Sequence, residues 1–242
     1  MAFVFDGDEE AGLAGTRWLI KNRKDFLKDI SKGVVLEPTE LNIRIVQKGT
    51  TFFKVIFKGK AAHGSRPDLG DNAIMKAVRF LQEIDDLKKE VEKRGSPLLR
   101  NATINVGKIS GGTKVNVVPD HCEVEIDRRI VPSEKIENAQ NEIIKLSNKF
   151  GGDILKNYTN PPIEVSENLE IVKLLKDITK SKLYGGDAYT EFEIFTNEVG
   201  IECVTCGPGD MGVAHKVDEF VSVDNLKKGK KVFTELVKRW CL

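Results

Sequence analysis

Two adjacent carboxylates, Glu9 and Glu10, close the acidic run Asp6-Gly7-Asp8-Glu9-Glu10, and a lone imidazole, His215, ends the loop Gly207-Pro208-Gly209-Asp210-Met211-Gly212-Val213-Ala214-His215. Carboxylate and imidazole together suit a divalent cation. Of two neighbouring acids, one can ligate the ion while the other takes a proton from the attacking water. By itself the acid pair has a plainer reading, because acids in a first helical turn complement the helix dipole. Glu37, in Leu36-Glu37-Pro38-Thr39, follows an apolar run and is either a further ligand or a solvated loop acid. His63, in Ala61-Ala62-His63-Gly64-Ser65-Arg66-Pro67, either polarises a substrate carbonyl or simply makes a turn.

The elements that must carry these groups can be read from periodicity. Ala2–Asp6 and Gly33–Leu36 are short apolar runs of the kind that form buried strands, and Gly12–Lys24 reads as a helix between them. The acid pair then falls between a strand and a helix, where open α/β sheets place their chemistry. Asn42–Gln47 alternates as a third strand. In the middle, Thr51–Lys58, Ala102–Ile109, His121–Ile130 and Asp153–Tyr158 read as strands. A long helix capped at Asp71-Asn72 and a second one from Ser133 to Phe150 alternate with them. The order β-α-β-β-α-β is that of a ferredoxin-like unit. After Pro161-Pro162 an α/β rhythm resumes with helix Glu167–Lys180, helix-like Tyr189–Val199, strand Ile201–Cys206 and helix Val223–Trp240. The expected fold is therefore α/β: a layer domain in two segments, 1–47 and 161–242, interrupted by an inserted α+β domain over 48–160.

Composition narrows the function classes. Lys+Arg 38 against Asp+Glu 37 leaves a net charge of +1, which gives no bulk electrostatic case for nucleic acid or an anionic membrane. The absence of a long apolar run or basic leader suggests a cytoplasmic protein without a membrane partner. Cys203-Val204-Thr205-Cys206 matches C-x-x-C, but it lies inside a strand-like run with no second such pair, so a redox or structural-zinc role is the weaker reading.

The pieces in this order resemble the acetylornithine deacetylase / succinyl-diaminopimelate desuccinylase / glutamate carboxypeptidase family of co-catalytic zinc hydrolases. The resemblance rests on Val4-Phe5-Asp6-Gly7-Asp8-Glu9-Glu10-Ala11-Gly12, Leu36-Glu37-Pro38-Thr39, Ala62-His63-Gly64-Ser65-Arg66-Pro67 and Asn72-Ala73-Ile74. It continues through Asn105-Val106-Gly107-Lys108-Ile109-Ser110-Gly111-Gly112, Val115-Asn116-Val117-Val118-Pro119, Gly207-Pro208-Gly209 and Ala214-His215. It implies a zinc-exopeptidase-like catalytic layer with a ferredoxin-like lid and dimerisation insert. Glu9 would be the general base, Glu10 and His215 ligands of one metal, and Glu37 a ligand of the other. His63 and Asn116 would reach the oxyanion or the substrate carboxylate, commonly across a homodimer interface. Arg129 would bind a carboxylate, and Gly185-Gly186 would belong to a substrate loop. Zinc is the implied metal, with cobalt or manganese as alternatives, and the implied substrates are small N-acyl amino acids of amino-acid biosynthesis.

The family also carries, upstream of its acid pair, a His-x-Asp motif and a metal-bridging aspartate, and none of His63, His121 and His215 is followed two residues later by Asp. The resemblance thus implies an N-terminally incomplete, truncated enzyme that is inactive alone, or one completed by a separate chain supplying the missing half. The alternative is a non-catalytic relic serving as a dimerisation or interaction module. In the substrate segment, Tyr189-Thr190-Glu191 leans toward deacetylases of N-acyl amino acids.

Overall fold

The structure is a computed structural model that describes residues 1–155 and 158–241. The elements run α1 (Ala14–Asn22), α2 (Lys24–Leu27), β1 (Lys32–Val35), β2 (Ile43–Gln47), β3 (Gly49–Lys58), α3 (Ala73–Val91), β4 (Thr103–Gly111), β5 (His121–Ile130), α4 (Ile136–Lys149) and β6 (Gly152–Leu155). They continue with β7 (Thr159–Asn160), β8 (Ile163–Glu164), α5 (Glu170–Thr179), β9 (Leu183–Gly186), α6 (Glu191–Ile194), β10 (Glu202–Thr205) and α7 (Val223–Cys241). The chain divides into two compact units, one formed by Met1–Gln47 with Ile163–Leu242 and the other by Lys48–Pro162.

The first unit is built on a mixed sheet in the order β1-β10-β2-β8, with β9 also pairing to β2. β1 and β10 are parallel, β10 and β2 antiparallel, and β2 runs parallel to β9. Strand parity sorts the apolar side chains onto two faces. Ile43, Ile45, Val204 and Cys206 face the cluster that Val172 and Leu175 of α5 and Val232 and Leu236 of α7 complete. Cys203 and Ile201 face a second cluster with Leu27, Phe192 and Ile163. The unit is thus a sheet covered on both faces by helices, as the α/β pattern predicts.

The same parity removes the C-x-x-C motif as a redox or zinc pair. Residues three apart on a strand point to opposite faces, so Cys203 and Cys206 lie in different clusters, each as a free buried thiol. Burial pushes both thiols up to about 12. A thiol reagent at pH 8 is expected to label the exposed Cys241 readily in the native chain and to reach Cys122, Cys203 and Cys206 only after denaturation. Rapid modification of either strand cysteine in the native protein would contradict this packing.

The second unit is the ferredoxin-like insert. Its sheet runs β4-β5-β3-β6, all antiparallel, with β7 added to β3. Asn72 caps α3, its side chain accepting from the Met75 amide at 3.0 Å. Along β5, Cys122, Val124 and Ile126 are buried while Glu123, Glu125 and Asp127 are half-exposed, so one face is wet. Phe57 of β3 and Phe80 of α3 are fully buried, with ring centroids 5.3 Å apart.

Five local expectations change. The buried strand expected over Gly33–Leu36 is β1, half-buried at the sheet edge over Lys32–Val35, and Leu36 beyond it is exposed. Ala2–Asp6 is irregular rather than a buried strand, with Phe5 94% exposed, because no strand among the described residues offers it a hydrogen-bonding ladder. The helix expected over Gly12–Lys24 is broken at Arg23 into α1 and α2. The strand expected over Asp153–Tyr158 spans Gly152–Leu155, and residues 156 and 157 lie outside the described residues. The Gly185-Gly186 pair, expected in a loop, belongs to β9 and pairs with Val46 and Gln47.

Candidate metal centre

Glu9 stands in a single 3-10 turn, Glu9–Ala11, between Asp8 and Gly12, both in the left-handed region at φ 60° and φ 90°. Glycine adopts that conformation without penalty, whereas Asp8 takes it at a cost that short polar side chains bear best. The turn is tied back by the Gly15 amide to the Gly7 carbonyl at 3.2 Å and by the Thr16 hydroxyl, which donates to the Asp6 carboxylate. These bonds fold the acidic run over the start of α1. Glu9 is left half-buried and Glu10 exposed.

Glu37 follows the end of β1, and its segment is stitched to the glycine-rich loop after β10. The amides of Thr39 and Leu41 both donate to the Gly207 carbonyl, at 3.3 and 2.8 Å, and the Glu40 amide donates to the Gly209 carbonyl at 2.7 Å. A side chain at Gly207 would collide with the Glu37 carbonyl oxygen, which is why glycine is needed at that close approach. The loop then delivers His215, itself left-handed at φ 59°, whose amide donates to Glu219 at 2.8 Å. Its Nε2 lies 3.5 Å from Glu10 Oε1.

A third acid, Glu191, completes the arrangement and was not among the expected site residues. It opens α6, is only 6% exposed, and its carboxylate oxygen lies with those of Glu9 and Glu37 in a group spanning no more than 4.8 Å. It lies within the helix-like segment Tyr189–Val199 read from sequence, but its convergence on Glu9 and Glu37 depends on the tertiary fold. All three carboxyls are held above the ordinary carboxylate range, by burial first and by neighbouring acids as well. Glu9 feels Glu37, Glu10 and Asp6, opposed by His215. For Glu37, the buried Arg44 guanidinium and His215 partly offset burial, to which Glu10 and Asp6 add. Glu191 reaches about 7, its own backbone amide opposing burial while Asp6, Glu9 and Glu37 add to it.

Two half-buried carboxylates and a buried one converge here, with Arg44 and His215 only partly offsetting their charge. A divalent cation fits this donor set, since Glu37 and Glu191 offer oxygens beside Glu9, while Glu10 and His215 offer an oxygen and a nitrogen.

The remaining expected residues sit as follows. His63 is exposed, with Nδ1 2.8 Å from Ser65 Oγ, and the neighbouring Gly64 amide donates to the Asn116 carbonyl at 2.7 Å. His63 and Asn116 therefore belong to adjoining loops of the insert. Arg129, on β5, is held by Asp127 at 2.9 Å and lies over the Phe52 ring. Gly186 packs so tightly on the Arg44 guanidinium that no side chain would fit, which assigns it a packing role inside the sheet.

Residues 45–154 match the family model of the M20 peptidase dimerisation domain. Across 98% of its length, the chain is 30% identical to an acetylornithine deacetylase of Myxococcus xanthus, covering 64% of that protein. The chain belongs to the M20 family. A protein named "Probable succinyl-diaminopimelate desuccinylase" from Staphylococcus aureus is 27% identical, with 88% of this chain and 61% of that protein covered. The M20 chain thus spans less than two thirds of the length of these curated relatives. The fold is also that of solved M20 structures. An aminopeptidase of Bacillus cereus superposes with a TM-score of 0.77 at 20% identity, over 96% of this chain and 62% of its own. An M20 metallo-carboxypeptidase of Sulfolobus solfataricus gives 0.73 at 20% identity, over 96% and 68%. The names of these relatives, deacetylase, desuccinylase and metallo-carboxypeptidase, point to metal-dependent amide hydrolysis as the chemistry of those proteins. No helix among the described residues is long and apolar enough to cross a membrane.

Proposed function

We propose that the first unit carries the ligand-bearing part of a co-catalytic zinc centre that hydrolyses the amide bond of N-acyl amino acids, acetylornithine or succinyl-diaminopimelate being the nearest chemical models. The observation that carries this reading is the convergence of Glu9, Glu37 and Glu191 within 4.8 Å, in the same unit as the Glu10–His215 pair. Glu37 is assigned to one metal, and Glu10 with His215 to the other. When bound, the metals supply Lewis-acid charge that makes water a nucleophile near neutral pH.

Glu9 is the proton carrier. Its carboxylate takes the proton of the attacking water and returns it to the departing amine nitrogen, and burial and the neighbouring acids raise its affinity for that proton. His63 and Asn116 are assigned as donors to the oxyanion or the substrate carboxylate, contributed by the partner subunit of a homodimer formed through the insert. Arg129 is assigned to a substrate carboxylate, which requires release of its Asp127 contact. Gly185 and Gly186 act through the strand that leads to Glu191.

The Glu10–His215 pair offers two ligands, and their side chains are 76% and 71% exposed. Two exposed ligands hold an ion weakly, where a catalytic zinc is held by three protein groups. The 242-residue chain alone is therefore expected to show little turnover of N-acetylornithine. Measuring ornithine release by the purified chain with zinc, cobalt and manganese tests this, and rapid metal-dependent turnover would overturn it.

A further inference from the structure

One buried polar side chain of β2, Gln47, has no part in the chemistry above, and it is fastened to the segment that bears Glu191. Gln47, the last residue of β2, is fully buried, and Thr190, immediately before Glu191, is 3% exposed. They bond reciprocally: Gln47 Nε2 donates to the Thr190 carbonyl at 3.3 Å, and the Thr190 hydroxyl donates to Gln47 Oε1 at 3.0 Å. We infer that Gln47 and Thr190 are positioning residues that hold Glu191 in register with Glu9 and Glu37, and so set the affinity of this acid group for a divalent cation. The inference rests on the metal reading proposed above.

The physical argument has three links. β2 is pinned on both sides, by β10 through Arg44 and Thr205 and by β9 through four register pairs, so Gln47 is a fixed point. The segment from Asp187 to Thr190 has no ladder of its own, and helical structure begins only at Glu191, where α6 and the π-helical turn Phe195–Val199 that continues it are anchored downstream by the buried Phe192 and Ile194. The Tyr189 hydroxyl donates to Glu193 within the same stretch, and the two-way amide–hydroxyl bond between buried groups is the contact that ties the residue entering Glu191 to the sheet. Each partner would leave the other's polar groups unpaired in the interior if removed, which makes the contact costly to lose. A carboxylate buried among other carboxylates would otherwise turn away from them, so its place near Glu9 and Glu37 must be imposed by the backbone that bears it. Bonds that orient metal ligands typically change metal affinity by about 10–100-fold.

The experiment uses the whole chain with the variants Gln47→Leu, Thr190→Val, Thr190→Ser and Glu191→Gln, and the double variant Gln47→Leu/Glu191→Gln. Amide exchange read by mass spectrometry on the metal-free protein is expected to speed up at least tenfold over residues 190–194 in Gln47→Leu and Thr190→Val. Peptides of the insert should not change. Thr190→Ser, which keeps the hydroxyl, should exchange like the unaltered chain. Titration with Co2+, followed by calorimetry and by the visible spectrum, should show affinity about tenfold weaker in Gln47→Leu and Thr190→Val and restored in Thr190→Ser. In the Glu191→Gln background, Gln47→Leu should cause no further loss. An equal loss in both backgrounds, or unchanged exchange over 190–194, overturns the positioning role. Absence of Co2+ binding by the unaltered chain would instead overturn the metal reading itself, and it would be seen before any substitution is made.

Discussion

Replacing Glu191 with glutamine is expected to stabilise the metal-free protein at pH 8 and to leave its stability unchanged near pH 4. Glu191 is buried and takes up its proton at about pH 7 in the folded chain, against 4.5 for an unperturbed glutamate. Below pH 4.5 the carboxyl is protonated in both states, and glutamine is a near-neutral replacement. Between 4.5 and about 7 the folded state binds more protons than the unfolded one, so stability falls as pH rises through that window. Above it the folded chain carries a buried anion beside Glu9, Glu37 and Asp6, and glutamine relieves that cost. The expected gain at pH 8 is about 2 kcal/mol, read as a shift of the urea midpoint. A gain of the same size at pH 4 and pH 8 would mean that charge burial is not its source.

A second large effect is expected at the other unit's core. Phe57→Ala should destabilise the Lys48–Pro162 unit by about 3–5 kcal/mol, the range for removing a buried aromatic ring. Phe57 is inaccessible on β3, its ring tilted 50° against Phe80 of α3, and the Gly152 backbone of β6 lies close beside it. Strand, helix and neighbouring strand thus meet at one ring, and little can collapse into the space it leaves. Denaturant unfolding checks this, and a loss under about 1 kcal/mol would show that the core refills.

The sequence was most legible where one residue type answers one physical demand. The alternation in β5 and the apolar stripe of α3 announced the insert, and the structure follows them closely. The close approach of Gly207 to Glu37 explains why a glycine-rich loop precedes His215. Legibility failed where the outcome depends on what lies across space. Ala2–Asp6 has the apolar character of a strand, but strand structure needs a neighbour's ladder. Gly185-Gly186 has the composition of a turn, yet Gly186 is required inside β9 because the Arg44 guanidinium occupies the space a side chain would take. Cys203 and Cys206 look paired in one dimension and are separated by the sheet in three.

The candidate site divides along the same line. Glu9, Glu10, Glu37 and His215 could be singled out from their motifs, and the structure brings Glu9 to Glu37 and Glu10 to His215. Glu191 has no metal-ligand spacing to any of them. It joins the group because β9 pairs with β2, and because Gln47 at the end of β2 fastens Thr190.

The measurement that bears most directly on the metal centre is calorimetric titration of the purified, metal-free chain with Zn2+ at pH 7.5. The unaltered chain is compared there with Glu37→Gln and with Glu191→Gln. The expected result is saturable binding by the unaltered chain, weakened at least tenfold in each variant, with protons released on binding because Glu191 is partly protonated at that pH. Binding that is absent, or that is unchanged in both variants, would contradict the assignment of this acid group as a metal centre.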